Sequence, residues 1–252
     1  QGCGKAGDLG RVHDARPSGG HVEAEYLVPA GQNQPLSPRD RAAVDGVHES
    51  LAGFPLSGGI VVEVQLPFAG LDLRDPSSVQ AVSSGHNKDS YPKWSVITYE
   101  FPANDWRPAL KMLWYDGGKR VDKALIGGKN PSGSGCAVIG EKGTIYSPND
   151  YGAQFEVLGD VELPEVEFEQ SPGHFEEWVR AIKGGAPAMS NFPDYASPLT
   201  ETVLLGNLAV WVAADGEGEK VEWDAKNLKA KNVAGLEGIV KPVFREGYTL
   251  DV

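Results

Sequence analysis

The sequence predicts an α+β fold in which an open, largely antiparallel sheet is packed on one face by helices. Short runs rich in β-branched and aromatic residues recur between loops that are dense in Gly, Pro, Asn and Asp, a pattern typical of antiparallel strands. The two clearest helical segments follow most of these runs and do not alternate with them. That order favours an α+β architecture over a doubly wound one.

One domain is expected over residues 21–252, after a poorly ordered, glycine-rich lead-in over residues 1–20 that has no periodic pattern. A Ser-Pro pair at Ser37 predicts a first helix that ends at about Leu51. Strands are predicted over residues 21–28, 60–65, 79–83, 94–101, 110–115, 137–139, 144–146, 155–158 and 220–224. The 94–101 run alternates with a period of two, so one of its faces is expected to be apolar and buried.

Two later helices are predicted to begin in the same way, with Ser171 and Ser197 as N-caps and a proline after each. The first carries Trp178 on an apolar stripe with helical spacing. The second is apolar almost all round, which predicts burial on most of its faces. Trp178 and Trp211 are therefore expected in a core that the two helices share. Three further tryptophans are interpreted as core residues rather than as a platform for a sugar ring: Trp106, Trp114 and Trp223.

Composition restricts the class of partner. The 252 residues carry a formal net charge of −12, and the longest basic cluster is Lys119-Arg120, which argues against nucleic acid and anionic membranes. The two cysteines exclude a disulfide framework. No apolar run approaches the roughly 18 residues of a membrane span, and no signal peptide is visible. The sequence begins with Gln1, which leaves a processed product or a fragment open, and the cytoplasm is favoured over export.

Sequence motifs for catalysis are scarce. No G-x-G-x-x-G segment follows a predicted strand, and neither G-x-S-x-G nor H-E-x-x-H occurs, so no catalytic residue and no metal ligand is assigned. His174 stands out among the five histidines because it lies in the first turn of a predicted helix beside Ser171. It is interpreted either as part of a helix cap or as a contact for a polar ligand. Tyr91 and Asp194 are the next candidates for binding such a ligand.

A series of short motifs runs through the chain in a familiar order. They occupy residues 66–76, 84–87, 91–92, 99–103, 114–118, 140–143, 171–174, 177–178, 190–192, 198–201 and 204–207. Together they resemble the C-terminal domain of bacterial Gfo/Idh/MocA oxidoreductases, the family of glucose–fructose oxidoreductase and inositol dehydrogenase. The resemblance covers roughly residues 66 to 248.

The resemblance implies that two domains have different functions in a full-length member of the family. In the family, an N-terminal Rossmann domain binds NAD or NADP, and the C-terminal domain holds a sugar-like substrate on an open sheet that also makes oligomer contacts. It therefore implies a sugar-like ligand and a homo-oligomer formed through the sheet. NAD or NADP is implied for a full-length member, and no cofactor is expected in this chain.

Two departures from the family leave alternatives open. The Rossmann half with its catalytic lysine is not found, and residues 19–65 do not resemble the family. Gly58 and Val62 stand where the family's G-x-x-x-x-D-x-x-x-H segment has its aspartate and histidine. Three hypotheses follow: the substrate-binding half of a sugar or cyclitol oxidoreductase, a non-catalytic carbohydrate-binding or scaffold protein, or an independent enzyme with a site around His174.

Overall fold

A computed structural model describes residues 25–29, 59–149, 152, 154–161, 163 and 170–248. Its strands are β1 (Glu25–Pro29), β2 (Ser78–Ser83), β3 (Ser95–Phe101), β4 (Leu110–Tyr115), β5 (Cys136–Gly140), β6 (Gly143–Ser147), β7 (Glu156–Gly159), β8 (Gly216–Glu217), β9 (Val221–Asp224) and β10 (Lys229–Ala230). Its α-helices are α1 (Gly59–Leu71), α2 (His174–Ile182), α3 (Ser197–Ala213) and α4 (Glu237–Val240). A 3-10 helix spans Lys123–Ile126, and a π-helical turn spans Phe192–Ala196.

The strands form two sheets. The larger sheet has seven strands in the order β1-β4-β3-β2-β9-β10, with β8 also paired to β2, and every pairing is antiparallel except that of β1 with β4. The smaller sheet is the antiparallel set β5-β6-β7. The architecture is therefore α+β with open, largely antiparallel sheets, which confirms the predicted fold class. The predicted helix at 37–51 and the lead-in at 1–20 lie outside the described residues.

Helix α3 lies across the larger sheet and forms the centre of the main core. Leu205, Leu208 and Ala209 are at most 3% exposed and pack in one cluster with Val79 of β2 and Ile97 of β3. Buried residues occur at nine of its positions, so the expectation of burial on most faces is confirmed. The helix that packs beside it is α1, and not the helix of residues 174–182 that the sequence suggested.

The strand predicted at 60–65 is wrong, because this stretch begins helix α1. Val64 and Phe68, four residues apart, are 2% and 1% exposed, and the Phe68 ring meets the edge of the Tyr195 ring at 5.5 Å. Each β-branched residue destabilises a helix by only a few tenths of a kcal/mol, roughly, relative to alanine. Burial of one large apolar side chain stabilises the fold by about 1.5–3 kcal/mol. Tertiary packing therefore overrides local propensity here.

The sheet face opposite α3 is only partly open. In β3, Ser95, Ile97, Tyr99 and Phe101 are buried while the residues between them are half-buried, which confirms the predicted alternation. A second core of Val121, Ile126, Ala137 and Tyr146 covers Leu113 and Tyr115 of β4 on that opposite face. What remains uncovered on β2 and β3 mixes polar and small apolar side chains: Gln80, Val82, Val96, Thr98 and Glu100.

Glu100 is the electrostatic centre of this uncovered face. Lys220 Nζ donates to both carboxylate oxygens at 3.0 Å, and the Ser78 hydroxyl donates to Oε2 at 2.8 Å. The Lys220 hydrogen bonds and then the Ser78 hydrogen bond lower the pKa of Glu100 below its ordinary value of 4.5. The carboxylate therefore stabilises the fold in its ionised form.

Glu100→Gln is expected to lower the free energy of unfolding near neutral pH by less than about 1 kcal/mol, because a partly exposed ion pair is screened by solvent. The contribution of a carboxylate with a lowered pKa is complete above its unfolded-state pKa and is lost as the pH falls through the folded-state pKa. Urea unfolding should therefore show a difference at neutral pH that disappears in acid. Glu222→Gln, on β9 of the same sheet, is the control, and a difference that persists in acid would contradict the prediction.

Within the described residues, no helix combines the length and the apolar character needed to cross a membrane.

Candidate functional site

The start of helix α2 differs from the predicted cap. The helix begins at His174, and Gly173 precedes it with φ of 110°, a backbone conformation that favours glycine. Ser171 is not the N-cap, because its hydroxyl accepts a hydrogen bond from Gly173 N at 3.0 Å and donates to the Glu177 carboxylate. In the described structure no side chain caps this helix. His174 therefore stands in the first turn without the capping role that was one of its two interpretations.

Glu177 anchors the inner side of helix α2. Glu177 is 6% exposed. Its carboxylate accepts one hydrogen bond from the Ser171 hydroxyl and another from Met189 N at 3.1 Å. The Ser171 and then the Met189 hydrogen bonds lower its pKa, with smaller contributions from the charges of Arg180 and His174. Because the ionised form is the one that is hydrogen-bonded, Glu177 fixes the helix to the segment that follows it.

Asp194 lies on that following segment, in the π-helical turn before α3. Asn191 Oδ1 accepts from Asp194 N at 2.9 Å, and Asn191 Nδ2 donates to Ala188 O at 3.0 Å. The Tyr195 hydroxyl donates to Gln65 O at 3.2 Å and so joins the turn to helix α1. His174 and Asp194 thus lie at two ends of one hydrogen-bonded segment, and both residues are exposed.

Tyr91 lies in a different place. It is 49% exposed in the loop between β2 and β3, and that loop is held at the C-terminal end of α3. His86 Nε2 lies 2.9 Å from Val210 O, His86 N donates to Ala214 O at 3.0 Å, and Lys88 Nζ lies 5.0 Å from the centre of the Trp211 ring. Asp194 precedes the other end of α3, and a helix of 17 residues is about 25 Å long. The structure therefore anchors the loop of Tyr91 at the C-terminal end of α3, whereas Asp194 lies in the turn that precedes the N-terminal end of that helix.

The chemistry available around His174 is that of binding. In the part of the chain that is described, no hydrogen bond, ion pair or ring contact joins His174, Tyr91 and Asp194 to one another. The exposed imidazole and carboxylate, together with the first backbone N–H groups of α2, can hydrogen-bond a hydroxyl-rich ligand. The described residues also contain no group of three or more His, Cys, Asp or Glu side chains that could hold a metal ion.

Two features were missed in the sequence analysis. Glu177 was placed on a helix, but nothing in its spacing from Ser171 matches the S-x-x-E capping box that would have marked it. Residues 2–7 read Gly-Cys-Gly-Lys-Ala-Gly, which has the G-x-G-x-x-G spacing. That spacing indicates a dinucleotide site only between a strand and a helix, and these residues lie outside the described ones.

The structure describes one of the two positions, Gly58 and Val62, at which the family has its aspartate and its histidine. Gly58 lies outside the described residues, and Val62 lies in the first turns of helix α1. A glycine and a valine carry no group that transfers a proton. The assignment of no catalytic residue therefore stays unchanged at these two positions.

No protein-family model and no curated protein matches the sequence. Solved structures do match. The WlbA dehydrogenase from Bordetella pertussis in complex with NADH and UDP-GlcNAcA is 12% identical with a TM-score of 0.49, and the match covers 81% of this chain and 56% of that one. A putative oxidoreductase from Thermotoga maritima is 16% identical with a TM-score of 0.46, covering 81% and 56%.

A levoglucosan dehydrogenase in complex with NADH and L-sorbose is 13% identical with a TM-score of 0.38, covering 82% of this chain and 60% of that one. This chain is similar to oxidoreductases. The chain spans less than two thirds of the length of these three structures.

Proposed function

We propose that this chain is the substrate-binding and oligomerisation part of an NAD(P)-dependent sugar or cyclitol oxidoreductase, without catalysis on its own. The observation that supports this most is the ordered series of family-like motifs. Those motifs fall at structurally distinct points: residues 114–118 end β4 and turn, residues 171–174 lead into α2, and residues 198–207 form the first half of α3. An open, largely antiparallel sheet is also what the resemblance implies.

The proposed sugar-binding site is the segment that carries His174 and Asp194. A neutral ligand with several hydroxyl groups suits it, because imidazole and carboxylate offer both donor and acceptor atoms. The net charge of −12 disfavours polyanions such as nucleic acid and anionic membrane surfaces as partners. Tyr91, whose loop is held at the other end of α3, is proposed as a separate contact for the same class of ligand.

His174→Ala is expected to weaken binding of a sugar ligand about tenfold, the cost of losing one to two hydrogen bonds, while the melting temperature stays unchanged. Isothermal titration with a panel of hexoses, inositols and sugar acids measures this. Asp194→Asn should act similarly, and Lys226→Ala, an exposed residue of the turn between β9 and β10, is the control. A lower melting temperature with unchanged affinity would make His174 a structural residue and would contradict the proposal.

The isolated 252-residue chain is expected not to bind NADH or NADPH with micromolar affinity, since a Rossmann domain supplies that site in the family. Titration that follows NADH fluorescence tests this directly. Saturable binding would contradict the proposal, and a Gly4→Val variant would then decide whether the glycines at residues 2–7 carry it.

Self-association through the larger sheet is the second part of the proposal. The uncovered strip on β2 and β3 contains Val82 and Val96, which lie opposite each other in the antiparallel register. The strip is more polar than the sequence suggested, because the aromatic side chains of β3 all belong to the buried face. A sheet interface here would therefore combine a small apolar centre with polar pairs at its edge.

A non-catalytic carbohydrate-binding or scaffold protein is the second candidate. The observation that favours it is the Gly58 and Val62 pair, which takes the places of the proton-transferring residues. The two candidates separate when the chain is mixed with a Rossmann domain that completes it. Oxidation of a sugar by the mixture favours the first, and sugar binding without turnover favours the second.

A further inference from the structure

His86 fastens the loop between β2 and β3 to the C-terminal end of helix α3. Its backbone N donates to Ala214 O at 3.0 Å, and its ring Nε2 lies 2.9 Å from Val210 O. A histidine side chain can hydrogen-bond the last carbonyl groups of a helix in this way. Here the histidine comes from a distant part of the chain, so it joins the loop to the helix.

The other ring nitrogen of His86 has a partner of the opposite kind. Lys88 N donates to His86 Nδ1 at 3.2 Å. A backbone N–H can only donate and a backbone carbonyl can only accept, so the two partners fix the neutral ring with its proton on Nε2. A doubly protonated ring carries a donor on Nδ1 as well. It therefore cannot accept the hydrogen bond from Lys88 N.

The bond from Lys88 N connects the ring to a compact turn that precedes Tyr91. Asn87 Oδ1 accepts hydrogen bonds from Asp89 N and Ser90 N, both at 3.0 Å. Because these bonds tie residues 87–90 together, the turn moves as one unit. The state of the His86 ring therefore bears on the placement of Tyr91, which directly follows the turn.

We propose that His86 is a positioning residue that holds the turn before Tyr91 against α3 only while its ring is neutral. Protonation at Nδ1 removes the bond from Lys88 N and sets two donors face to face, while the Nε2 bond to α3 is kept. The base of the loop stays closed, because Ser84 N donates to Trp94 O and Trp94 N donates to Ser84 Oγ, both at 3.1 Å. Protonation is therefore expected to release the tip of the loop and not the whole loop.

A positive charge on the loop acts in the same direction. Lys88 Nζ lies 5.0 Å from the centre of the Trp211 ring, and that ring centre is 6.5 Å from the centre of the His86 ring. A protonated His86 would place a second positive charge beside the turn that carries Lys88. Like charges repel, so this also favours release of the turn.

The groups that favour a protonated ring act on both states of the loop. Asp215 lies beside Gly85, where a Cβ would meet its Oδ1 at 3.0 Å, and the carbonyl end of α3 also attracts a cation. Residues 205–213 of α3 carry no charge, and Asp89 and Lys93 are the other charged residues of the loop. Because Nε2 stays on α3 in both states, Asp215 and the helix end move the pH of release and not its direction.

Nuclear magnetic resonance of the whole chain with labelled histidine identifies the tautomer at about pH 8, above the ordinary histidine range. We expect the proton of His86 on Nε2, and a proton on Nδ1 would overturn the proposal. Hydrogen exchange followed by mass spectrometry then compares about pH 7.5 with about pH 5.5, after correction for intrinsic rates. Residues 86–91 should open roughly three- to tenfold more in acid, the factor for one hydrogen bond, while α3 is unchanged.

His86→Gln is the decisive variant, because a glutamine amide offers a donor and an acceptor and does not titrate. The criterion is loss of the pH dependence of exchange in residues 86–91, whichever degree of opening the glutamine gives. His174→Gln is the matched control, since it removes an exposed histidine elsewhere and should leave this pH dependence intact. Equal opening of the unchanged chain at both pH values, or a pH dependence that persists in His86→Gln, would overturn the proposal.

The consequence for binding rests on the proposed function, in which Tyr91 contacts a sugar. Titration with the tightest-binding hexose or inositol of the panel above should show affinity that falls in acid, and His86→Gln should remove part of that fall. Exchange is measured without any sugar, so the two proposals fail separately. Absence of sugar binding would count against the proposed function alone, and exchange that does not depend on pH would count against the role of His86 alone.

Discussion

Replacing Arg107 by alanine is expected to lower the free energy of unfolding by about 3 kcal/mol, because several buried carbonyl groups lose their hydrogen-bond donor and each such group left unpaired costs about 1–3 kcal/mol. Arg107 is 6% exposed and lies in the loop between β3 and β4. Its Nε donates to Leu71 O at 2.5 Å, and its Nη2 donates to Asp72 O at 2.9 Å. These carbonyls end helix α1, where a positive charge also interacts favourably with the helix dipole.

The same guanidinium also fastens its own loop. Its Nη1 donates to Pro102 O at 2.7 Å and to Pro108 O at 3.1 Å. Removal of the side chain leaves carbonyl groups of four residues without this donor, and an unpaired buried polar group costs about 1–3 kcal/mol. Because α1 in turn accepts the Tyr195 hydroxyl at Gln65 O, the loss should also loosen the turn that carries Asp194.

Arg107→Lys is the informative control. A lysine keeps the charge but has one ammonium group in place of the planar fork, so it should recover only part of the stability. Urea unfolding of the three proteins measures the order, which should be wild type, then Arg107→Lys, then Arg107→Ala. A loss of less than about 1 kcal/mol in Arg107→Ala would mean that water replaces the guanidinium and that this anchor is dispensable.

The larger sheet could be predicted because its local signals agree with its tertiary setting. In β3 the two-residue period placed Tyr99 and Phe101 on the buried face, as observed. The Asp-Gly-Gly turn after β4 is required by packing: Gly117 has φ of 64°, and a Cβ there would lie 2.0 Å from Lys93 O. Local sequence suffices where neighbouring residues alone decide the conformation.

Helix α1 and the short elements could not be predicted, because contacts between distant residues decide them. The run from Ile60 to Gln65 is β-branched, and only the packing of Phe68 against Tyr195 and α3 makes it helical. Strands of two residues such as β8 and β10 carry no periodic pattern at all. The parallel pairing of β1 with β4 likewise has no local signal.

The candidate site was predicted only as single residues. The sequence singled out His174 and Asp194 but gave no sign of the Glu177 link, because a buried carboxylate on an exposed apolar helix contradicts the usual pattern. The expectation that Trp178 is a core residue is wrong, because the apolar side of its helix faces solvent and Trp178 is 60% exposed. A stripe with helical spacing shows that side chains share a face, but it does not show whether the fold covers that face.

Trp114 and Trp178 provide a matched test of this difference, since the same residue type is 1% exposed in one case and 60% in the other. Trp114→Ala is expected to cost about 3–5 kcal/mol, because loss of a large buried ring leaves a cavity in the main core. Trp178→Ala is expected to cost less than about 1 kcal/mol in the monomer, because its ring already faces solvent. Urea unfolding at low protein concentration keeps self-association out of the comparison.

Trp114→Phe sharpens the test, because the Trp114 indole N–H is buried and has no hydrogen-bond partner in the described structure. Phenylalanine keeps most of the ring and removes this unpaired donor, whose burial costs about 1–3 kcal/mol. We therefore expect Trp114→Phe to retain at least half of the stability that Trp114→Ala loses. Equal losses in Trp114→Ala and Trp178→Ala would mean that helix α2 is buried in solution and would contradict the outward orientation of its stripe.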